Sequence, residues 1–389
     1  MGNTDKFFNS KRAWSKYKDL ILDYYLTPYI PKILHLRKPL FLIDCCAGQG
    51  KFDDDSFGSP LIMIQKAETY IEKGNDIKCL FFEKNKGCFS KLKMEVPKKN
   101  CYLVYNEDFN LRIPQISKLA DDNSLFLYID PYGVKDLDFN KLSVIYQKIA
   151  NGKSIEVIIT FNARALIRNG IIALGKEVPS ELTDEFVDEK INSKGMTVNR
   201  ITTIAGGSYW KEIVQDNELT FQIKEQLITQ GYINELKKYF ANVASFPVID
   251  KYRHVPKYEI IFATRHTDGF LIMNDAMYLA RRKFCESEFC DGRLFDVTPE
   301  SEKKDFELIK TKIIETAAKI KAPMKRDQLV NEILADNPIL VGRYRKSEFT
   351  DEMKKLISSK GRQRLYKEGT AFNKDTLVAI QPLKVYLKF

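Results

Sequence analysis

Histidine is scarce in this 389-residue chain, with three in all, and no two of its seven cysteines form a C-x-x-C pair. These shortages argue against a zinc site, and the odd cysteine count argues against a disulfide framework. Cys79 and Cys101 sit inside apolar runs and read as small core residues. Cys285 and Cys290 flank ESEF at a spacing that no common metal motif uses. No run of 18 apolar residues occurs, so no membrane span is expected. The first residues, MGNTDKFFNSKRAWSKYKD, lack the apolar stretch of a secretory signal, and Lys6 breaks the myristoylation pattern. A cytoplasmic protein is the expectation. Internal repeats and low-complexity linkers are also missing.

What is present is a chain of ordinary apolar content, 44%, long enough for two or three domains and a large core. Its net charge of +10 is uneven. Residues 301–389 hold 20 Lys and Arg against 12 Asp and Glu, which leaves 42 against 40 for the rest. A basic C-terminal module invites a polyanion such as nucleic acid. A solvated helix face kept for solubility explains the charge equally well.

Hydrophobic spacing divides the chain into 1–36, a helical segment; 37–300, an α/β domain; and 301–389, the basic module. Trp14, Tyr17, Leu20, Ile21, Tyr24 and Tyr25 recur at helical steps, with Pro28 and Pro31 interrupting the pattern. Strands are expected at 40–44, 77–83, 101–106, 125–130 and 155–161, with helices at 60–72, 86–95, 114–119 and 139–150 between them. Near-continuous apolar strands alternating with amphipathic helices imply a parallel sheet covered on both faces. A mainly helical insertion follows at about 162–242, clearest at 181–192 and 221–240. An antiparallel hairpin, 243–249 and 258–264, closes the sheet, and a helix follows at 274–283. Three helices, 305–320, 326–335 and 347–359, and a ribbon of strands at 363–367 and 376–381 suggest a winged helix-turn-helix.

The stretch LFLIDCCAGQGKF, residues 40–52, runs from a strand into an acid and two glycines. It is no P-loop, because Phe52 follows Gly50-Lys51 and Cys45 stands where the first glycine belongs. It is no nicotinamide fingerprint, because Asp53 replaces the third glycine. It fits D-x-x-x-G-x-G, the S-adenosylmethionine (AdoMet) loop, through Asp44, Gly48 and Gly50. Glycines there let backbone approach a ligand's amino-acid part, and the acid can engage its ammonium.

Acids recur at the next strand ends. Glu83 is placed to accept hydrogen bonds from ribose hydroxyls, and Asp108 or its neighbour from an adenine amino group. The fourth strand ends in YIDPYG. There Asp130 and the Pro131 carbonyl are candidate acceptors for an amino nitrogen, and Tyr132 offers a face for a base. After the fifth strand, Asn162 is a candidate for reading a base edge and Arg164 for holding a phosphate; an Asn-capped helix with a surface arginine is the plainer alternative. Asp53, Asp54 and Asp55 read as turn residues, with binding of a cation or a basic partner as the alternative, and Ser59 with Pro60 as the opening of a helix. Trp210, in SYW, reads as core.

WSKYKDLILDYYLTPYI, FLIDCCAGQGKF, GSPL, LYIDPYGV and YEIIFATRHTDGFLIMNDAM follow the order seen in the three-Cys-motif partner family, which this chain resembles over nearly its whole length. DPYG is also similar to a motif of tRNA guanine N2-dimethyltransferases. The resemblance implies an AdoMet fold of the class I methyltransferase kind: a Rossmann-like sheet, mostly parallel with a terminal antiparallel hairpin, a helical insertion and a winged-helix-like C-terminal segment. It also implies association with a partner protein bearing a three-cysteine motif. Together the residues and the resemblance point to methyl transfer from AdoMet to an exocyclic amino group of a nucleic-acid base. Two other readings stand beside this one: a non-catalytic nucleic-acid- or partner-binding protein on the same fold, and a methyltransferase whose acceptor is the partner protein.

Overall fold

The apolar runs become a seven-stranded sheet of β1 (Leu40–Asp44), β2 (Ile77–Phe82), β3 (Tyr102–Tyr105), β4 (Ser124–Ile129), β5 (Ile155–Phe161), β6 (Asn242–Val248) and β7 (Tyr258–Thr264). Its order is β3-β2-β1-β4-β5-β7-β6. The first five strands run parallel, with Leu42 of β1 in register with Cys79 on one side and Phe126 on the other. β7 runs antiparallel to both β5 and β6. β1, β4 and β5 are buried at every position, as strands covered on both faces must be. This is the expected mostly parallel, Rossmann-like sheet with its antiparallel closing hairpin. The chain winds outward from β1 to β3, then crosses back to β4, so a crevice opens at the carboxyl ends of β1 and β4. The computed structural model describes residues 12–182, 196–248, 256, 258–289, 304–320, 322–359 and 364–380.

Helices α1 (Ala13–Leu34), α2 (Ser59–Glu72), α3 (Lys86–Glu95), α4 (Ile113–Leu119) and α5 (Phe139–Tyr146) cover the sheet, and α6 (Ala163–Ala173), α7 (Val198–Ala205), α8 (Trp210–Gln215) and α9 (Phe221–Leu236) form the insertion. Contrary to the interruption expected at Pro28 and Pro31, α1 runs through both. Each proline removes one backbone bond, but the stripe Trp14, Tyr17, Ile21, Tyr25, Tyr29 and Ile33 is buried, and packing against α2 and β6 holds the helix together. The start of α2 also differs: Gly58 is the N-cap and Ser59 the first helical residue, its hydroxyl turned to Asp44. Trp210 is fully buried, with Nε1 donating to Thr202 Oγ1 at 3.1 Å. Most of the helix expected at 181–192, and the loop between β6 and β7 apart from Pro256, lie outside the described residues.

A buried carboxyl ties α1 to the sheet. Glu156 of β5 accepts hydrogen bonds from the Tyr25 hydroxyl and from Thr264 Oγ1. Burial pushes its pKa up to about 7, and the two hydrogen bonds pull the other way.

Contacts divide the chain between Arg265 and His266. The second unit holds α10 (Thr267–Phe289), α11 (Phe306–Lys319), β8 (Met324–Lys325), α12 (Arg326–Asp336), α13 (Lys346–Ser358), β9 (Tyr366–Lys367) and β10 (Leu377–Ala379). α10 was expected with the α/β domain, whose boundary was drawn at residue 300. Its side chains explain why it groups with the second unit: Asn274 donates to the Tyr344 carbonyl at 2.8 Å and accepts from the Gly342 amide at 2.9 Å, and Asp275 accepts from the Lys346 amide. The strands form a small antiparallel sheet of order β8-β10-β9, one strand more than the ribbon expected. Among the described residues, no helix is long and apolar enough to cross a membrane.

Candidate active site

A cavity of about 350 Å³ lies at the crevice between β1 and β4, within the range of small-ligand pockets. Its walls include Gly48, Gly50, Glu83 and Asp108 on the side of β1, β2 and β3, and Asp130, Pro131, Tyr132 and Asn162 on the side of β4 and β5. Eight of the ten residues singled out from the sequence therefore come together.

The turn after β1 needs its glycines. Gly48 and Gly50 have φ of 65° and 82°, in the left-handed region. A Cβ on Gly50 would stand 2.8 Å from Leu92 Cδ1, and its carbonyl accepts from the Gly58 amide at 2.8 Å. Beyond it the FDDDSFG stretch folds back on itself: Lys51 bridges Phe57, and Asp54 Oδ1 accepts from the Ser56 amide. Asp55, at φ 64°, pairs with Lys51 at 2.6 Å. Asp54 and Asp55 are thus turn residues, and Phe52 reaches the cavity wall.

The acids differ in what they do. Asp44 is fully buried and is not in the cavity wall. It accepts from the Cys46 amide at 3.1 Å and from Ser59 Oγ at 2.6 Å, and so braces the turn from beneath instead of facing a ligand. Burial raises its pKa to about 7, with the charges of Asp130 and Glu83 adding to the rise and the two hydrogen bonds opposing it. Glu83 is in the wall, accepting from the Gly48 amide at 2.9 Å and the Asn85 amide at 2.6 Å; burial raises its pKa too. These bonds fix the carboxylate and still leave lone pairs for two further donors. Asp108 caps a short 3-10 turn, accepting from the Asn110 amide and side chain at 2.9 Å.

Across the cavity, Asp130 accepts from Lys18 Nζ through both oxygens, at 2.7 and 2.6 Å. Tyr132 is 49% exposed at the rim. Asn162 caps α6 through its Oδ1, so its carbonyl oxygen is engaged by the Ala165 amide. Arg164 is the displaced candidate. Its Nε pairs with Glu225 at 2.6 Å, and it lines a second cavity; one helical turn on, Arg168 lines the first.

The wall supplied by α1 was not expected. Trp14, Ser15, Lys18 and Asp19 all contribute to it. The signal was present: Lys18 falls four residues after Trp14 and three before Ile21, on the stripe that packs inward.

No known family profile matches the sequence, and no curated protein does. Solved structures give faint likenesses. A protein from Legionella pneumophila shares 12% identity over 64% of this chain and 86% of that one, with a TM-score of 0.34. Human methyltransferase-like protein 13, solved with SAH, shares 12% over 73% and 96%, at 0.33. A SAM-dependent methyltransferase from Anabaena variabilis shares 11% over 65% and 94%, at 0.27. Likeness at this level does not carry those proteins' activities with it.

Proposed function

We propose that the chain is an AdoMet-dependent methyltransferase acting on an exocyclic amino group of a nucleic-acid base. One observation carries the reading: a single cavity gathers Gly48, Gly50, Glu83 and Asp108 on one wall and Asp130, Pro131 and Tyr132 on the other. The first set suits an adenosyl ligand, with backbone at close range and fixed carboxylates for ribose and adenine. AdoMet, when bound, supplies a methyl group on a sulfonium. Asp130 and the Pro131 carbonyl accept hydrogen bonds from the acceptor's amino group and aim its lone pair at that carbon. Asp130 or water would take the proton that the amino nitrogen sheds on methylation. Tyr132 gives the base a face to stack on.

The second unit serves as a winged-helix-like grip on phosphates. Arg343 and Arg345 are exposed just ahead of α13, in the module that carries most of the net positive charge. A three-cysteine partner protein is a further expected associate, and the cytoplasm the expected compartment. The test is incubation with labelled AdoMet and fractionated cellular nucleic acid, followed by nucleoside analysis. Label in a methylated amino nucleoside supports the reading. Label in protein alone assigns the acceptor to the partner.

One feature favours a second reading. Lys18 holds Asp130 in the position the acceptor amine would take, as expected of a nucleic-acid-binding shell that no longer transfers methyl groups. In that case nucleic acid binds and no label moves.

A further inference from the structure

The second cavity, of about 280 Å³, is bounded by α9, the end of β5, and strands β6 and β7. We propose that it is a base-recognition pocket for the nucleotide next to the methyl acceptor, taking a nucleobase edge with adjacent N–H donors, of the guanine kind. This rests on the methyltransferase reading above and extends it to the substrate's sequence.

α9 carries Gln222, Glu225, Gln226, Thr229 and Gln230 on the face that meets the cavity, at the spacing of one helical side. Its opposite face, with Ile228, Tyr232 and Leu236, is the one buried in the core. Gln222, Gln226 and Gln230 are exposed on that face, so their amides are open to an incoming ligand, although Gln230 also donates to Asn234 Oδ1 at 2.9 Å. Carboxamides and carboxylates are the groups that read base edges. The facing wall brings Arg164, Ser245 and Glu259.

The charges select among ligands. Arg164 engages Glu225 through Oε1 at 2.6 Å. Burial lifts the Glu259 carboxyl to about 7, with the Glu225 charge adding to the rise and the Ser245 hydroxyl opposing it. A space with one guanidinium and two carboxyls suits neither a phosphate nor a second cation. It suits a neutral group that donates two parallel N–H bonds to a carboxylate. A guanine edge, N1–H beside the 2-amino group, does so. Phe161 and Ala163 provide an apolar floor, and Tyr258 lines both cavities, which places the pocket beside the acceptor site. Stacking on that ring supplies further affinity.

The test is calorimetric titration of the full chain with guanosine and inosine, which differ only by the 2-amino group, and with N-acetylarginine methylamide, alongside AdoMet on the same sample. Guanosine is expected to bind at least fivefold more tightly than inosine. Glu259→Gln and, independently, Gln226→Ala are expected to weaken guanosine at least fivefold, while AdoMet affinity stays within twofold and thermal melts stay unchanged. Equal binding of the two nucleosides, no nucleoside binding, or guanosine binding indifferent to both substitutions overturns the pocket. So does tighter binding of the arginine derivative, which would make this a peptide site. If AdoMet binds and the nucleosides fail, only this inference falls; if AdoMet does not bind, it is the methyltransferase reading that fails.

Discussion

Lys18 of α1 and Asp130, just past β4, lie 112 residues apart in sequence and meet as a two-pronged ion pair inside the cavity, with side chains only 9% and 22% exposed. The ammonium also lies over the Tyr258 ring, 5.3 Å from its centre. Replacing Lys18 by Met strands a shielded carboxylate. The expected cost is about 1–3 kcal/mol, between the ranges for exposed and fully buried pairs. Denaturant melts of Lys18→Met, Asp130→Asn and the double variant should give a coupling energy of at least about 1 kcal/mol. Additive losses would mean that the pair contributes nothing.

Asp130→Asn should also separate catalysis from binding. Methyl transfer is expected to fall at least about 100-fold, the range for removing a positioned proton acceptor, while the dissociation constant for AdoMet stays within about threefold. Single-turnover kinetics together with calorimetry checks this. Equal losses in both would remove Asp130 from the acceptor side.

Glu83→Ala removes a carboxylate that two backbone amides already hold in place. AdoMet affinity should drop about 10- to 100-fold, the worth of one or two charge-assisted hydrogen bonds. Glu83→Gln should lose less, because its carbonyl oxygen still accepts.

Gly50→Ala puts a side chain at φ 82° and 2.8 Å from Leu92 Cδ1. Left-handed strain and overpacking together predict a loss of about 2–4 kcal/mol. Gly74→Ala is the control, since a Cβ there meets nothing within 4 Å at a similar φ of 84°. It should show the strain cost alone, and the difference between the two melts isolates the clash.

Glu156 gives a pH prediction remote from the cavity. Its folded pKa of about 7 lies above the ordinary 4.5. Between those values the unfolded chain has released the proton and the folded chain has kept it. Stability attributable to this group therefore falls as pH rises from about 4.5 to about 7, by up to about 3 kcal/mol, and is level on either side. Subtracting the stability curve of Glu156→Gln from that of the wild type should reveal this slope; a flat difference would place the carboxyl in a wetter setting.

Local order was legible in the sequence wherever hydrophobic period and strand ends set it. Leu40–Asp44, Ile155–Phe161 and Lys86–Glu95 fall where periodicity put them, because continuous apolar runs and clean helical spacing leave little choice. The acids after β2, β3 and β4 reach the cavity because parallel strands bring their carboxyl ends to one edge. What escaped depended on long-range packing. Lys18 reads as one lysine among many until α1 is laid on the sheet. Arg164 and Arg168 differ by one turn of α6, and only the placement of that helix decides which cavity each reaches. Asp44 looked like a ligand-facing acid, but Ser59, fifteen residues on, turns back to claim it.

The most direct measurement is calorimetric titration of the purified full chain with AdoMet. The account predicts saturable binding at one site per chain, weakened at least about tenfold by Glu83→Ala. No heat at any concentration, or binding that Glu83→Ala leaves untouched, would contradict it.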